Sequence, residues 1–239
     1  MKKKIIYYLL IILCIVTFIY SSYEIYGTYE EDKTSQLIAL EGAVATTKKE
    51  TPETIINNLK SEYQNNDIIG VIKVPGTNIN HAFVQTSNNK YYLSHTLKKE
   101  KSKLGAIFMD YRNTFNDKQI NIYGHNSNKY DVPFKDLIKY KDQEFTKNNN
   151  EIYLTTKEGT TKYIIQIVNR TKSDEHMQIS FKDKTSWNKH IKALRQGAIY
   201  DTSKAITMDE DILILQTCLL KDGGNYLIIT ATKEKEEMA

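Results

Sequence analysis

After Asn66 the sequence consists of short runs rich in β-branched and aromatic residues, joined mostly by short links. Such runs are typical of β-strands, and eight of them in succession predict a mainly β fold, a closed or nearly closed antiparallel barrel. Two helical stretches, around 133–140 and 186–198, interrupt the strands. We find no internal repeat and no second domain. The eight predicted strands cover residues 68–74, 79–85, 105–110, 119–123, 151–155, 161–169, 211–217 and 226–232.

Two helices are expected before the first strand. Apolar residues recur at three- and four-residue spacings through residues 24–64, the pattern of a helix with one apolar face. Thr51 and Pro52 form a favourable helix start, because threonine caps free backbone N–H groups and proline fits the first helical position. The second helix should therefore begin at Pro52.

The N-terminus predicts a membrane anchor. Residues 5–20 are predominantly apolar and carry no charge, and together with residues 21–23 they reach the ~17 to 25 residues that cross a bilayer as a helix. A cleaved signal peptide fits less well, because bulky Tyr20 stands two places before Ser22, the nearest small residue for cleavage. A buried helix of a soluble protein is the other alternative.

Lysines at positions 2–4 orient this anchor, since positive charge is retained on the cytoplasmic side of a membrane. The lipid membrane is therefore the first expected partner. We expect a lysine-rich cytoplasmic tip at 1–4, a single-pass transmembrane anchor at 5–23, extracellular helices at 24–66, a barrel domain at 67–233 and a polar tail at 234–239.

Charge and residue spacing exclude two other classes of function. The formal net charge is +4, but three of the positive charges are the lysines of the tip, so about +1 remains on the rest of the chain. Such a chain offers no basic surface for nucleic acid. No two histidine or cysteine residues fall at the usual spacing of a zinc site, so we expect neither a metal nor another cofactor.

Cys218 is the first candidate for chemistry. Since Cys14 lies in the anchor, Cys218 is the only thiol of the exported part and has no disulfide partner there. It follows the apolar run 211–217, which predicts a strand that is buried on both faces and ends at the sulfur. A buried filler and a nucleophile both remain possible for this thiol.

His125 is the best base in the sequence for such a thiol. It follows the predicted strand 119–123 and stands between Gly124 and Asn126, residues that permit tight backbone geometry. A thiol needs a nearby base or positive field to attack well at neutral pH. The remaining histidines lie in a strand, a loop and polar or helical surroundings, where structural or surface roles are expected: His81, His95, His176 and His190.

The segments that contain Cys218 and His125 resemble known sequence signatures. The run LQTC, which ends at Cys218, is similar to the Leu-x-Thr-Cys signature of sortases, and IYGHN, which contains His125, is similar to their catalytic histidine segment, in the same order and at a comparable separation. GAIFMDYRN at 105–113 and YYLSHT at 91–96 resemble class B members in particular. The resemblance covers residues 51–232 and the anchor.

The resemblance implies an eight-stranded sortase-type barrel that holds a cysteine transpeptidase on the outer face of a Gram-positive membrane. Cys218 would attack the carbonyl of a threonine in the C-terminal sorting motif of an exported protein, and His125 would protonate the departing amine. An amine of cell-wall peptide, or a pilin lysine in polymerising members, would resolve the thioester. The implied partners are therefore exported proteins with sorting signals and the molecules that supply this amine.

One family residue is missing from the chain. Sortases usually carry an arginine on the strand after the cysteine, where it helps to hold the substrate and the oxyanion, and no arginine follows Arg195 here. We align Asn225 with that position. Asn225 or Lys221 would share its role, with the backbone N–H of Leu219 as a second oxyanion donor. Thr217 is a further candidate for substrate or oxyanion contact, but it alternates away from the nucleophile, which favours packing or hydrogen bonding near the site.

Three other functions remain open. The same cysteine and histidine could pass thioesters to water, as in a thiol peptidase. The missing arginine would permit a degenerate, non-catalytic homologue that only binds exported or pilin proteins. If the resemblance is set aside, a purely structural barrel with a buried thiol also fits the sequence.

Overall fold

The computed structural model describes residues 2–41, 50–127, 129–172, 177–219 and 225–235. Its helices are α1 Lys2–Glu41, α2 Pro52–Glu62, α3 Gln143–Asn148 and α4 Lys184–Arg195, with 3₁₀ helices at Tyr91–Leu93 and Lys135–Lys141. Its strands are β1 Ile68–Lys73, β2 Asn80–Val84, β3 Phe108–Met109, β4 Gln119–Tyr123, β5 Glu151–Thr156, β6 Gly159–Thr171, β7 Ala198–Asp201, β8 Ile212–Leu219 and β9 Asn225–Lys233.

Eight of the strands close into a barrel, as predicted. They follow one another in the order β5-β1-β2-β3-β4-β8-β9-β6, and the pairing of β5 with β6 completes the ring. The ninth strand, β7, pairs with β6 beside the ring and was not predicted. The helix expected at 186–198 ends at Arg195, because Gly197 takes a φ of +74° and turns the chain into β7.

At two places in the ring, neighbouring strands pair in parallel, and we call each of these pairings a seam. β2 pairs with β3 and β4 pairs with β8 in the same direction, whereas the other neighbouring strands of the ring are antiparallel. The expectation of an all-antiparallel barrel is therefore wrong at these two seams. In each case the chain between the paired strands is long enough to return to the same end of the barrel, which a short hairpin cannot do.

The predicted N-terminal helices are present, and the first is continuous with the anchor. α2 begins at Pro52 as expected, because the Thr51 hydroxyl accepts a hydrogen bond from the Thr54 N–H at 3.2 Å. The helical pattern expected from residue 24 onward belongs to α1, which continues from the apolar N-terminal run without a break.

α1 is the candidate membrane anchor. Its segment Tyr8–Glu30 is long and apolar enough to cross a bilayer by length and composition. None of the most apolar stretch of this segment is buried against the rest of the chain. A core helix of a soluble domain would bury that surface, so its exposure favours the membrane interpretation over the buried-helix alternative.

Three apolar clusters hold the barrel together. One fills its interior, one lies between the barrel and α2, and one lies under α4 on the outer wall. β8 contributes to two of them, with Leu213 and Leu215 in the interior and Ile212 and Ile214 packed with Trp187 of α4. Because side chains alternate along a strand, the even-numbered positions of β8 lie on the outer wall of the barrel.

An ion pair between the buried Asp110 carboxylate and the partly exposed Arg112 fixes the segment after β3. Asp110 is fully buried and accepts hydrogen bonds from Nε of Arg112 at 2.9 Å, from Nη2 of Arg112 at 2.7 Å and from the Tyr123 hydroxyl at 2.8 Å. Burial favours the neutral acid, but the hydrogen bonds from Arg112 and Tyr123 outweigh it and hold the pKa of Asp110 below its ordinary value. Arg112 also donates to the carbonyl of Met177, which ties the connection between β6 and β7 to the barrel.

Replacement of this carboxylate, Asp110→Asn, should lower the free energy of unfolding by about 3 kcal/mol at neutral pH, because Arg112 loses a buried charged partner. The stability that Asp110 contributes is fully present above the unfolded pKa of about 3.9 and is lost as pH falls through the lower folded pKa. Urea unfolding should therefore show a difference between wild type and variant that shrinks below about pH 4.

Asp183→Asn serves as the control. Asp183 caps α4 by accepting a hydrogen bond from the Ser186 N–H, and asparagine caps a helix about as well as aspartate does. This exchange should leave the unfolding midpoint nearly unchanged. A difference between wild type and Asp110→Asn that stayed constant from pH 7 to pH 3 would contradict the charged state assigned to Asp110.

Candidate active site

The parallel pairing of β4 with β8 brings the two candidate catalytic residues to one place. Tyr123 is the register partner of Gln216, and the contact continues past the end of β4, where the Gly124 N–H donates to the Gln216 carbonyl at 3.2 Å. His125 stands two residues after Tyr123, and Cys218 stands two residues after Gln216. Their backbone positions therefore lie level on neighbouring chain segments, about 5 Å apart.

Both positions also lie on the same face of the sheet. Position 218 has the parity of Ile212 and Ile214, which pack on the outer wall. His125 continues the alternation of β4, in which Ile120 and Ile122 point into the interior. The two candidate positions, which are far apart in the sequence, thus lie on neighbouring chain segments with the parity of the outer face.

The imidazole of His125 is held by a backbone carbonyl. Its Nε2 lies 2.8 Å from the carbonyl oxygen of Leu93, in the 3₁₀ helix Tyr91–Leu93. A carbonyl oxygen only accepts hydrogen bonds, so Nε2 carries a proton, and in the neutral ring Nδ1 is the acceptor. This half-buried side chain is therefore oriented to exchange protons through Nδ1.

Gly105 makes room for the imidazole. Its φ is +62°, and a Cβ built on it would lie 2.5 Å from the Tyr92 carbonyl oxygen and 2.9 Å from Cδ2 of His125. Glycine therefore allows the 3₁₀ helix and the ring to approach this closely. Sequence reasoning had placed Gly105 only at the start of a strand, and it missed the Leu93 carbonyl because a backbone group leaves no signal in residue type.

Thr217 joins the two chain segments directly before the candidate residues. Its side chain is buried, and its hydroxyl donates to the Gly124 carbonyl at 2.9 Å. A hydroxyl proton used in this bond does not serve an oxyanion, so the structure favours the expected hydrogen-bonding role of Thr217 over contact with a substrate. The bond aligns the segment of His125 with the segment of Cys218.

Some of the predicted residues fall outside the described part of the chain. The side chains of Cys218 and Leu219 belong to this group, and their places are given by backbone register. All of Lys221 and all of His176 also lie outside the described residues. The roles expected for Leu219 and Lys221 therefore stay predictions.

The register between β8 and β9 adds one candidate residue. Cys218 pairs with Tyr226, and Leu219 pairs with Asn225. Cross-strand partners share a face of the sheet, so position 226 lies beside position 218, whereas position 225 has the parity of the inward-facing Leu227. Tyr226 is thus a further candidate beside Cys218, and the role expected for Asn225 stays a prediction.

The other described histidines have structural contacts, in line with expectation. His81 on β2 is buried, and desolvation lowers its pKa to about 4 against the opposing effect of a backbone hydrogen bond. His95 stacks on Tyr91 with ring centroids 4.0 Å apart, and Nε2 of His190 bonds to Gln119 at 2.6 Å. Among the described residues, no group of three His, Cys, Asp or Glu side chains is arranged to hold a metal ion.

Comparisons with known proteins point to one family. The family model of the sortase domain matches residues 72–234. A sortase B of Listeria monocytogenes is 32% identical over 212 residues, which cover 84% of this chain and 85% of the relative. A sortase B of Staphylococcus aureus is 27% identical over 215 residues, 87% of each chain. The crystal structure of Clostridium perfringens sortase B has a TM-score of 0.69 at 28% identity and covers 75% of this chain and 99% of that one.

The close approach at Gly105 predicts the effect of adding one methyl group. Gly105→Ala should destabilise the fold by about 2 to 4 kcal/mol and displace the imidazole, because the strained φ and the collisions with Tyr92 and His125 act together. Thermal unfolding measures the first effect. The NMR resonances of the His125 ring measure the second.

Gly197→Ala is the matched control, since Gly197 has a φ of +74° and a Cβ there would meet nothing within 4 Å. It should cost about 1 kcal/mol from backbone strain and leave the His125 resonances in place. Unchanged resonances in Gly105→Ala would show that Gly105 does not set the position of the ring.

Proposed function

Because this chain belongs to the sortase family, we propose that it is a class B cysteine transpeptidase anchored in the membrane of a Gram-positive cell. It cleaves a C-terminal sorting motif of exported proteins and transfers the new acyl group to an amine. The observation that supports this proposal is the parallel register of β4 and β8, whose last pair, Tyr123 and Gln216, stands two residues before His125 and Cys218. A thiol and an imidazole on neighbouring chain segments are the parts that nucleophilic acyl transfer requires.

In the first half of the reaction, the Cys218 thiol gives its proton to Nδ1 of His125, and the thiolate attacks the carbonyl carbon of a threonine in the sorting motif. The tetrahedral intermediate collapses with cleavage of the C–N bond. The leaving amine takes the proton from Nδ1, and a thioester remains. Nδ1 performs this transfer because the N–H of Nε2 is already donated to Leu93.

In the second half, an amine attacks the thioester carbonyl and passes a proton to Nδ1 of His125. The C–S bond breaks, an amide forms, and Cys218 leaves as a thiolate that recovers its proton. The expected amine belongs to a cell-wall peptide or to a pilin lysine. The bond from Leu93 keeps the imidazole in one orientation through both halves.

The negative charge of the tetrahedral intermediate needs hydrogen-bond donors. The backbone N–H of Leu219 is one candidate, and Lys221 or Asn225 would supply a second. The register adds Tyr226, which is the cross-strand partner of Cys218. A tyrosine hydroxyl donates to an oxyanion but lacks the charge and the planar fork of arginine.

The location of the reaction follows from α1. The exposed apolar segment Tyr8–Glu30 would span the membrane, with the lysines at positions 2–4 in the cytoplasm and the barrel outside the cell. A barrel tethered at the surface meets proteins as they are exported, which suits an enzyme that acts on sorting signals. The same tether keeps it close to the growing wall that supplies the amine.

A non-catalytic binding protein is the second candidate. The observation that favours it is the absence of any arginine after Arg195, since an oxyanion donor typically contributes 10²- to 10³-fold to the rate. A thiol peptidase is the third, with water in place of the amine. All three use the same site, and only the fate of the bound peptide distinguishes them.

One assay separates these functions. The full-length chain in detergent micelles is incubated with a library of peptides that carry a threonine within a sorting-type sequence, with and without an amine, and the products are followed by mass spectrometry. We expect a thioester on Cys218 and, when the amine is present, an amide product. A thioester that yields only acid would indicate a peptidase, and binding without modification would indicate a non-catalytic protein.

Three variants make this assay specific for the site. Cys218→Ala should abolish the thioester, whereas Cys14→Ala, which removes the exposed thiol of the anchor, should leave product formation unchanged. His125→Gln should lower turnover by at least about 10²-fold, because proton transfer to the amine is lost. Product formation by Cys218→Ala would remove the basis of the proposal.

Position 226 of β9 is the cross-strand partner of Cys218, so an arginine should improve the site most when it replaces Tyr226. Tyr226→Arg should raise kcat/KM for peptide cleavage by about ten-fold or more, since a charged donor then lies beside Cys218. Asn225→Arg is the matched comparison at the neighbouring position, which has the parity of the inward-facing Leu227, and it should give the smaller gain. A gain from Asn225→Arg alone would reverse the face assignment, and unchanged rates in both Asn225→Ala and Lys221→Ala would remove those residues from the site.

A further inference from the structure

The orientation of His125 depends on a turn that is only three residues long. The 3₁₀ helix Tyr91–Leu93 accepts the Nε2–H of His125 on the Leu93 carbonyl at 2.8 Å. The Tyr92 carbonyl accepts the Ala106 N–H at 2.9 Å, directly after Gly105, against which the imidazole lies. A single 3₁₀ turn has little stability of its own, so its position must be set by what it packs against.

Tyr92 fastens this turn to the N-terminal part of the domain. Its ring is buried in the cluster that includes Ile56 and Leu59 of α2. Its hydroxyl accepts a hydrogen bond from Nδ2 of Asn65 at 2.9 Å and donates one to Oδ2 of Asp67 at 2.8 Å. Both partners lie in the short segment between α2 and β1, so one hydroxyl links that segment to the turn.

The same two residues also hold the far side of the loop that follows the turn. Nδ2 of Asn65 donates to the Leu97 carbonyl at 2.7 Å, and Asp67 forms an ion pair with Lys99 at 3.0 Å. Burial raises the pKa of the Tyr92 hydroxyl well above its ordinary value, so the group stays protonated and donates at neutral pH. The loop from residue 91 to residue 99 is thus pinned at both sides by Asn65 and Asp67.

We propose that Tyr92 is a positioning residue for the reaction, and that its hydroxyl couples the end of α2 to the Leu93 carbonyl that orients His125. This inference rests on the proposed function and adds to it a support that lies behind the imidazole. Loss of the hydroxyl would leave the buried Asn65 and the half-buried Asp67 without their shared partner and would release the turn. A small displacement of a catalytic group is enough to slow a reaction strongly.

The test is Tyr92→Phe in the full-length chain. We expect kcat for peptide cleavage to fall about ten-fold with KM unchanged, because the group that moves is the proton carrier and not the peptide site. The ¹⁵N resonances of His125 should change from one tautomer with a proton on Nε2 to a mixture, since the Leu93 carbonyl no longer selects it. Tyr140→Phe is the matched control, because it also removes one buried hydroxyl, which donates to the Asn149 carbonyl at 2.8 Å.

Tyr140→Phe should lower the melting temperature by a similar amount and leave both kcat and the His125 tautomer as in wild type. The same loss of kcat in Tyr140→Phe, or a wild-type tautomer in Tyr92→Phe, would overturn the inference. The tautomer measurement needs no substrate. An inactive wild-type chain would therefore count against the proposed function and leave this test intact.

A second pair of variants covers the case in which Tyr92→Phe fails to fold. Asp67→Asn keeps an oxygen that accepts from the Tyr92 hydroxyl, whereas Asp67→Ala removes it. We expect Asp67→Asn to retain the wild-type tautomer of His125 and Asp67→Ala to lose it. An identical tautomer pattern in the two variants would contradict the coupling.

Discussion

The arrangement of the site depends on the parallel hydrogen-bonded seam between β4 and β8. The register runs from the pair Gln119 and Ile212 to the pair Tyr123 and Gln216, and the bonds of Gly124 carry it one step further. A slip of one residue in this seam would turn every side chain of β8 to the opposite face. The leucines of β8 in the interior and its isoleucines under α4 prevent such a slip, because both apolar sets would lose their places. The core therefore determines the register, and the register determines the site.

The barrel separates the groups that stabilise it from the groups that react. The interior is apolar, and α2 and α4 each cover one outer area with a further apolar cluster. The candidate residues lie at the strand ends beyond these covers, on segments that the core holds rigidly. Support for His125 comes from the backbone carbonyl of Leu93 in the 91–93 turn, which is a neutral group.

Much of this organisation follows from local pattern in the sequence. The eight runs of β-branched residues predict the barrel, and Thr51 and Pro52 predict the start of α2. The predicted strand ends directly before His125 and Cys218 single out these two residues as candidates. The rest depends on long-range pairing. The parallel seams, the short strand β7 after Gly197 and the place of Tyr226 opposite Cys218 are set by where the chain reverses and which strands meet. The carbonyl of Leu93 has no signature at all, because every residue carries the same group.

The wide separation of residues 125 and 218 along the chain has a consequence for timing. Contacts between distant parts of a chain form late in folding, because the entropy cost of closing the intervening loop comes before any gain from the contact. β8 can pair with β4 only after the intervening helices and strands have been synthesised. The level position of His125 and Cys218, and any chemistry that needs it, is therefore acquired only when β8 reaches β4.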